Sequence, residues 1–251
     1  MLDGVTPQWI RWMFGRIARR YDLTNTLLSA GLDRYWRWQL ARRVAQAKAR
    51  AVLDVACGTG SVMLEVARHC PATTWLVGVD FTVPMLEVGR RRLARARGAA
   101  RFCLCAGDAL CLPFADACFD AVTIVFGVRN FADPAAGLAE CYRVLRPRGG
   151  IYVVEFSWPH RWGLRQLYGL YFRYILPLVA WPLSGERSAY RYLRDSVLAF
   201  RQQPGLTALL RQAGFTATCA VPLCGGITTL YQGYKPAYPE AEENTPWPRG
   251  A

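Results

Sequence analysis

The sequence predicts an α/β fold, a mostly parallel seven-stranded sheet with helices on both faces and a helical segment before it. Three observations lead to this prediction. Short apolar runs followed by Gly or Asp alternate with amphipathic segments over residues 51–156. Two further apolar runs come after a helical segment near residue 206, and a length of 251 residues suits one such domain with a small appendage. Strands that alternate with helices indicate parallel β-α units.

Hydrophobic periodicity predicts the individual elements in chain order. Residues 8–20 place apolar side chains at helical spacing with arginines on the flanks, which predicts a basic amphipathic helix. Helices are also predicted over 61–68, from Thr82 or Val83 onward, from Asp133 to Leu145 and over Leu206–Ala213, with a turn at 147–150. The predicted strands are 52–55, 75–79, 101–104, 120–126, 151–156, 215–221 and 226–234.

Composition divides the chain into three parts. Residues 1–45 are predicted to form an N-terminal helical lid, and residues 46–235 the sheet domain, with a helical, substrate-side insertion at about 158–200. The last part, 236–251, holds four prolines and three glutamates and is predicted to be disordered.

Charge and cysteine content limit the setting in which the protein works. The net charge is +13, which suits nucleic acid, an anionic membrane or an acidic substrate, but equally a solvated basic surface. Nine cysteines without a C-x-x-C pair indicate free thiols in a reducing compartment and no zinc site. The first residues do not have the pattern of a signal peptide, and the apolar stretch 174–183 holds two prolines and is too short to span a bilayer. We therefore expect a cytoplasmic protein.

Polar residues follow the first three predicted strands. Gly58-Thr59-Gly60 follow the first strand and open a helix, so backbone N–H groups and a helix N-terminus are exposed there. Asp80 ends the second strand and is suited to accept both ribose hydroxyls of a nucleoside. Asp108-Ala109 follow the third strand and can meet an adenine edge.

The glycine turn distinguishes between two nucleoside cofactors. A dinucleotide site has the pattern G-x-G-x-x-G/A, and its third small residue lets helix and strand approach around the pyrophosphate. This chain has Met63 at that position, which a cofactor without phosphates tolerates. The three features therefore fit S-adenosylmethionine better than NAD. The alternative interpretation is a common turn and two acids in surface loops.

Several segments resemble the menaquinone/ubiquinone biosynthesis C-methyltransferases. Those in the predicted sheet domain are LDVACGTG (53–60), VGVDF (77–81), GDALCLPF (107–114), FDAVTIVFGVRNF (119–131), RVLRPRGG (143–150) and VVEFS (153–157). Outside the methyltransferase core, RIARRYDLTNTLLSAGLDRYWR (16–37), SAYRYLRDSV (188–197) and LRQAGF (210–215) also match. The resemblance runs from about Met13 to Lys235. It implies a Rossmann-like class I methyltransferase that methylates a ring carbon of a polyprenyl quinol, a benzoquinol, a naphthoquinol or both.

The resemblance also implies the cofactor contacts. They are Thr59, Asp80, Asp108 and Ala109, with Gly58 and Gly60 shaping the turn. The chain departs from the family at three places. Ser61 stands where relatives usually have Asp, and Val125, which can line the cofactor site, stands where they usually have Ser; Tyr231-Gln232-Gly233 replaces a His-x-Gly.

Arg129 and Asn130 follow the fourth strand, where a charged side chain needs a function or a partner. A ring carbon becomes nucleophilic when an adjacent hydroxyl ionises, and phenols titrate near 10, so the site must favour the phenolate. We expect Arg129 to stabilise that oxyanion, or to order a water that takes its proton, and Asn130 to orient the ring oxygen. Tyr21, in the predicted lid with Asp22 and Asn25, is expected to hydrogen-bond the quinol or exclude water. The structural alternatives are an Arg129 paired with a carboxylate such as Asp22 or Asp133, and a Tyr21 that only packs.

An apolar stripe in the insertion suits the polyprenyl tail or a membrane surface. It consists of residues at helical spacing with arginines nearby: Leu164, Leu167, Tyr168, Tyr171, Ile175 and Leu178. Core packing or a homodimer face explains the same stripe. Peripheral contact with the inner face of the cytoplasmic membrane is the most that the sequence predicts. The rival functions are another small-molecule or RNA methyltransferase and an NAD-dependent oxidoreductase; we expect no nucleic-acid partner, because no basic module with interleaved aromatic residues is present.

Overall fold

The computed structural model describes residues 5–96, 101–159, 162–175, 186–200 and 205–237, and its strands form one sheet. The strands are β1 (Ala51–Val55), β2 (Trp75–Asp80), β3 (Arg101–Ala106), β4 (Phe119–Val125), β5 (Leu145–Phe156), β6 (Thr216–Leu223) and β7 (Thr228–Tyr234). Their order in the sheet is β3-β2-β1-β4-β5-β7-β6. Strands β1 to β5 pair in parallel, and β7 runs antiparallel to β5 and β6. The predicted fold class is confirmed.

Helices cover both faces of this sheet. They are α1 (Pro7–Ile17), α2 (Tyr21–Leu28), α3 (Leu32–Gln46), α4 (Ser61–His69), α5 (Val83–Leu93), α6 (Pro134–Val144), α7 (Trp162–Leu170), α8 (Arg187–Phe200) and α9 (Leu206–Gln212). A π-helical turn, Tyr171–Ile175, continues α7. Helices α6 and α9 bury their apolar sides on one face, and α3, α4 and α5 on the other. Because both faces are covered, the central strands are apolar on both sides.

The N-terminal segment contains three helices, of which the sequence predicted the first. The helix predicted over 8–20 ends at Ile17, and two more helices follow. In α3, Trp36, Leu40 and Val44 are fully buried at helical spacing against the sheet, although arginines between them weaken the sequence pattern. Helix α3 is therefore part of the sheet core, and its N-terminal residues, among them Leu32 and Trp36, line the cavity described below together with α1 and α2.

The largest difference in the sheet concerns β5. Leu145, predicted to end a helix, is the first residue of the strand, and the predicted turn at 147–150 lies within it. Leu145 pairs with Phe119 and Gly150 pairs with Ala121, so the residues between them bulge out opposite one residue of β4. Arg148 has a left-handed φ of 67° there. The turn-like sequence thus forms a bulge, because β5 continues past it.

Some predictions fall on residues that the structure does not describe. The predicted disordered tail beyond residue 237 and most of the apolar stretch 174–183 lie outside the described residues. Among the described helices, none is long and apolar enough to cross a bilayer. All nine cysteines are described, and each is a free thiol.

Candidate active site

A cavity of about 450 Å³ opens at the carboxyl ends of the parallel strands. It lies where the strand order reverses, between β1 and β4, which is the usual ligand position in an open α/β sheet. The site residues predicted from the sequence that line it are Tyr21, Gly58, Thr59, Asp80, Asp108, Ala109, Val125, Arg129 and Asn130. Gly60 lies behind the turn and does not line the cavity.

The turn after β1 has the conformation that its glycines allow. Gly58 and Gly60 have φ values of +54° and +74°, in the left-handed region that side chains disfavour. A Cβ at Gly60 would also lie 3.3 Å from Leu93. Nothing lies within 4 Å of a Cβ placed on Gly58, which faces the cavity. The turn therefore lets a ligand approach the backbone at Gly58.

Asp80 joins the end of β2 to this turn. Its Oδ2 accepts a 2.8 Å hydrogen bond from the Gly58 N–H, and its Oδ1 accepts one of 2.8 Å from the Thr82 N–H. The side chain is buried, and burial raises the pKa of the carboxyl, against the effect of these two donors. Each oxygen retains a lone pair for a hydroxyl donor, which is what binding of a ribose diol requires.

Asp108, Ala109 and Val125 complete this end of the cavity. Asp108 is exposed, and its Oδ1 accepts a 3.0 Å hydrogen bond from the Leu110 N–H, which fixes the loop after β3. Val125 is the last residue of β4 and lines the cavity without a polar contact. These positions agree with an adenine site between the ends of β3 and β4.

A polar cluster connects α2 to the glycine turn. Both oxygens of Asp22 accept hydrogen bonds, from the Thr59 hydroxyl at 2.7 Å and from the Ser61 hydroxyl at 2.6 Å. Arg92 of α5 forms a salt bridge with the same carboxylate and donates to Ser61 at 2.8 Å. Ser61 thus donates to Asp22, which an aspartate at this position would repel.

Arg129 is paired with Glu155, a residue that the sequence analysis did not single out. Its Nη1 donates to Glu155 Oε1 at 2.8 Å, and the two side chains are 5% and 0% exposed. The alternative that Arg129 pairs with a carboxylate is thus observed, but neither of the two carboxylates named for it is the partner. Asp22 pairs with Arg92, and Asp133 caps α6 by accepting from the Ala135 and Ala136 N–H groups. A single carboxylate within the apolar run of β5 was the sequence signal for this pair.

Part of the Arg129 guanidinium has no hydrogen-bond partner among the described residues. Nη1 also donates to the Phe126 carbonyl at 2.6 Å, but Nε is buried without an acceptor among the described residues. A buried, unsatisfied donor costs about 1–3 kcal/mol, which a ligand acceptor would offset. Arg129 lines the cavity, so its guanidinium lies beside the space that a ligand would occupy.

The turn that carries Arg129 is strained and tightly packed. Phe126 has a left-handed φ of 58°, an unusual conformation for a bulky residue and one that concentrates at functional sites. A Cβ on Gly127 would lie 2.9 Å from the Cβ of Ala56, so only glycine lets β4 pass so close to the end of β1. The Phe126 and Phe156 rings stack with centroids 4.4 Å apart, and the Arg129 guanidinium lies 5.3 Å from the Phe156 centroid.

Asn130 and Tyr21 stand on either side of Arg129. The Asn130 amide donates to the Phe126 carbonyl at 3.3 Å, and its Oδ1 accepts a 2.8 Å hydrogen bond from the Tyr192 hydroxyl of α8. Burial raises the pKa of Tyr21, against the opposing charge of Arg129, so this phenol is protonated at neutral pH and can donate but not act as a base. Tyr192 also went unnoticed in the sequence, although it lies in the family-like segment 188–197.

Helix α7 closes the apolar side of the cavity. Leu164, Leu167, Tyr168 and Tyr171 of the predicted stripe line it, and the Tyr171 hydroxyl donates to the Leu28 carbonyl at 2.6 Å. The stripe is thus at least partly a cavity wall. Leu178 and the side chain of Ile175 lie outside the part of the chain that the structure describes.

This arrangement defines a class of enzyme. A glycine turn without a third small residue, a strand-end carboxylate and a cavity at the sheet reversal are what a phosphate-free nucleoside requires. A solved structure of a SAM dependent methyltransferase from Aquifex aeolicus has the same fold, with a TM-score of 0.52 at 13% identity over 74% of this chain and 81% of that chain. The fold is that of the class I S-adenosylmethionine-dependent methyltransferases. A family match over residues 3–235 assigns the protein to the methyltransferases rather than to the oxidoreductases.

The family follows from sequence comparison. Residues 3–235 match the sequence profile of the ubiE/COQ5 methyltransferase family. The chain is 44% identical over 226 residues to the ubiquinone/menaquinone biosynthesis C-methyltransferase UbiE of Citrifermentans bemidjiense, covering 90% of this chain and 96% of that protein. It is 43% identical over 230 residues to the demethylmenaquinone methyltransferase of Mycobacterium marinum, covering 92% and 95%. The chain belongs to the ubiE/COQ5 methyltransferase family.

Proposed function

We propose that this enzyme methylates a ring carbon of a polyprenylated quinol, demethylmenaquinol, the benzoquinol of the ubiquinone pathway or both, with Arg129 stabilising the ionised hydroxyl. The observation that carries the proposal is the buried Arg129 guanidinium, which lines the cavity and whose Nε–H has no acceptor in the part of the chain that the structure describes. Family membership supports the reaction class. Bound S-adenosylmethionine supplies an electrophilic methyl group.

The residues at the sheet end divide between the two ligands. Asp80 accepts the ribose hydroxyls, Asp108 and Ala109 meet the adenine, Val125 packs beside it, and Gly58, Gly60 and Thr59 shape the turn next to the cofactor. Arg129 and Asn130 face the quinol ring. Arg129 donates to the developing oxyanion, and Asn130, whose amide is oriented by Tyr192, hydrogen-bonds a ring oxygen.

Tyr21 and the helices around it exclude water from the reacting atoms. Helices α1 and α2 form the lid, because Met13, Phe14, Ile17 and Tyr21 line the cavity from that side. Tyr21 donates a hydrogen bond toward the quinol, since its raised pKa keeps it protonated. A dry cavity strengthens the interaction between Arg129 and the oxyanion.

The lid and α7 also form the surface through which the prenyl tail reaches the membrane. Several large apolar side chains of these helices and of the turn after α7 are at least half exposed: Trp12, Leu23, Leu27, Trp162, Leu167, Leu170 and Tyr174. Exposed arginines lie among them: Arg11, Arg16, Arg19, Arg20, Arg165 and Arg173. Apolar and cationic side chains together suit an anionic bilayer at the inner face of the cytoplasmic membrane. A homodimer through the same surface is the alternative.

An RNA substrate is the weaker candidate. The residues around Arg129 are tyrosines, phenylalanines and aliphatic side chains, which suit an apolar ring better than a charged backbone. RNA binding with a steep salt dependence, by an enzyme that methylates neither quinol, would favour an RNA substrate instead.

Substitution of Arg129 tests the proposal. Arg129→Lys keeps a charge beside Glu155 but loses the planar set of donors, so we expect kcat to fall about 10²–10³-fold with little change in cofactor affinity. Arg129→Ala should lose at least as much. Arg143→Lys is the matched control, because Arg143 pairs with Glu140 and Asp116 and does not line the cavity. A folded Arg129→Lys enzyme with normal cofactor affinity and a near-normal rate contradicts the catalytic role.

A further inference from the structure

Glu155 is the charged residue on which the position of Arg129 depends. It lies near the end of β5, is 0% exposed, and does not line the cavity. Its Oε1 accepts from Arg129 Nη1 at 2.8 Å and from its own neighbour, the Phe156 N–H, at 3.0 Å. Its Oε2 lies 3.4 Å from the Arg129 backbone N–H. One carboxylate therefore contacts both the side chain and the backbone of Arg129.

These contacts determine which part of the guanidinium remains free. Nη1 is occupied by Glu155 and the Phe126 carbonyl, whereas Nε has no acceptor among the described residues and Nη2 makes no hydrogen bond to them. A guanidinium held by Nη1 presents its other donors in a fixed plane. Without Glu155, Arg129 could rotate about its side-chain torsions.

The pair also has an electrostatic consequence. A buried guanidinium next to a buried carboxylate is close to neutral, so a quinol hydroxyl meets an oriented dipole with the positive end toward it rather than a full positive charge. Removal of the Glu155 charge would leave the whole charge of Arg129 to act on the hydroxyl. An unneutralised cation favours the anionic form of a neighbouring acid.

We infer that Glu155 is a positioning residue for methyl transfer: it aligns Arg129 and, by neutralising it, sets the pH at which the bound quinol ionises. This inference rests on the proposed function. Glu155 does not touch the substrate and acts through Arg129.

The surroundings make that pH measurable. The titratable side chains that interact with the pair from the packed elements are Tyr21 on α2, Tyr168 on α7, Tyr192 on α8 and Tyr231 on β7. Burial raises the pKa of each of them, that of Tyr192 to about 12. None of these four groups titrates near neutral pH, so none of them accounts for a titration of kcat there. Asp54, beneath the glycine turn, has a pKa raised to about 7, and only a titration that moves with the charge of Glu155 is therefore assigned to the bound quinol.

The test compares kcat against pH for wild type and Glu155→Gln at saturating S-adenosylmethionine and quinol. Gln keeps the shape and one acceptor but removes the charge. We expect the rising part of the plot of kcat against pH, called the limb below, to move by about one unit to lower pH, because the Arg129 charge is no longer neutralised and favours the phenolate. We expect the maximal kcat at high pH to fall about tenfold, because Arg129 is aligned less precisely. Glu140→Gln is the control: it also removes a carboxylate from an arginine pair, but away from the cavity, and should leave the limb in place.

Glu155→Asp keeps the inference testable if Glu155→Gln does not fold. Asp retains the negative charge, but its shorter side chain moves the carboxylate away from Arg129. The maximal kcat should therefore fall, whereas the pH of the limb and the KM for the quinol should stay nearly unchanged. Either variant with a lowered melting temperature but wild-type kcat and pH limb would show a purely structural role and overturn the inference. Failure of the proposed function is distinguishable, because the wild-type enzyme would then bind the cofactor calorimetrically but methylate no quinol.

Discussion

Asp54 shows how a buried carboxyl beneath the glycine turn affects stability. It is 2% exposed; its Oδ1 accepts from the Thr123 hydroxyl at 2.7 Å, and its Oδ2 has no partner among the described residues. Burial raises its pKa to about 7, although Thr123 opposes the shift. The pKa of an Asp in an unfolded chain is ~4, so the folded state binds this proton more tightly than the unfolded state does. The stability that the proton provides is therefore lost as the pH rises from ~4 to ~7.

We therefore predict that Asp54→Asn makes stability less dependent on pH. Between pH 5 and 7.5 the melting temperature of wild type should fall relative to that of the variant by several degrees, because a few kcal/mol are at stake. Other carboxyls do not contribute to the change between pH 5 and 7.5, because their pKa values are lowered and they are already ionised there. These carboxyls are Asp120, Glu140 and Glu186. Asp116→Asn, at a 77% exposed carboxylate, is the control. Parallel curves for wild type and Asp54→Asn would refute the assignment.

At the scale of single residues, sequence predicts strand-end groups better than their partners. Asp80 and Arg129 could be predicted because each directly follows a clear apolar strand, and the carboxyl ends of parallel strands meet at one edge. Glu155 could not be assigned to Arg129, because the two are 26 residues apart and their contact depends on the register of β5 against β4. The hydrogen bond from Tyr192 to Asn130 likewise depends on where α8 packs.

At the scale of elements, α1, α2 and α7 each have two apolar sides. One side of each lines the cavity, and the other is exposed, as at Trp12 (50%), Leu23 (62%) and Trp162 (76%). An exposed apolar surface of this kind needs a partner, and the surrounding arginines favour an anionic one. The sequence predicted the basic helix, the lid and the apolar stripe, but not the contact between Tyr171 and Leu28, because packing alone brings these two residues together.

We predict that this surface binds anionic vesicles. In co-sedimentation the protein should bind phosphatidylglycerol vesicles and lose binding when salt screens the arginines. The double variant Trp162→Ser/Leu170→Ser should weaken binding at least several-fold, since both side chains are exposed and neither lines the cavity. Trp75→Ser is the control, because Trp75 is 49% exposed at the opposite, amino end of β2. Equal binding by the double variant and wild type, or a dimer that the double variant dissociates, contradicts a membrane surface.

For the whole molecule, the sheet order explains why one cavity serves both ligands. The connection from β1 leads to β2 on one side, whereas β4 lies on the other side of β1, so the glycine turn and the Arg129 turn face each other across the reversal. The sequence supports this architecture because alternating elements allow few right-handed topologies. The bulge in β5 was not predictable, because its sequence is typical of a turn although the strand continues through it. The packing of α3 was not predictable either, because arginines between its buried apolar residues weaken the helical pattern.

The central claim is that this cavity places a reduced quinol, ionised beside Arg129, in reach of the methyl group of S-adenosylmethionine. The most direct measurement is mass analysis of the product after incubation with S-adenosylmethionine carrying a deuterated methyl group, using each demethylated quinol in parallel with its oxidised quinone. We predict label on a ring carbon of the quinol and none on the quinone, which has no hydroxyl to ionise. Label on oxygen, equal transfer to the quinone, or no transfer by protein that binds the cofactor would contradict the account.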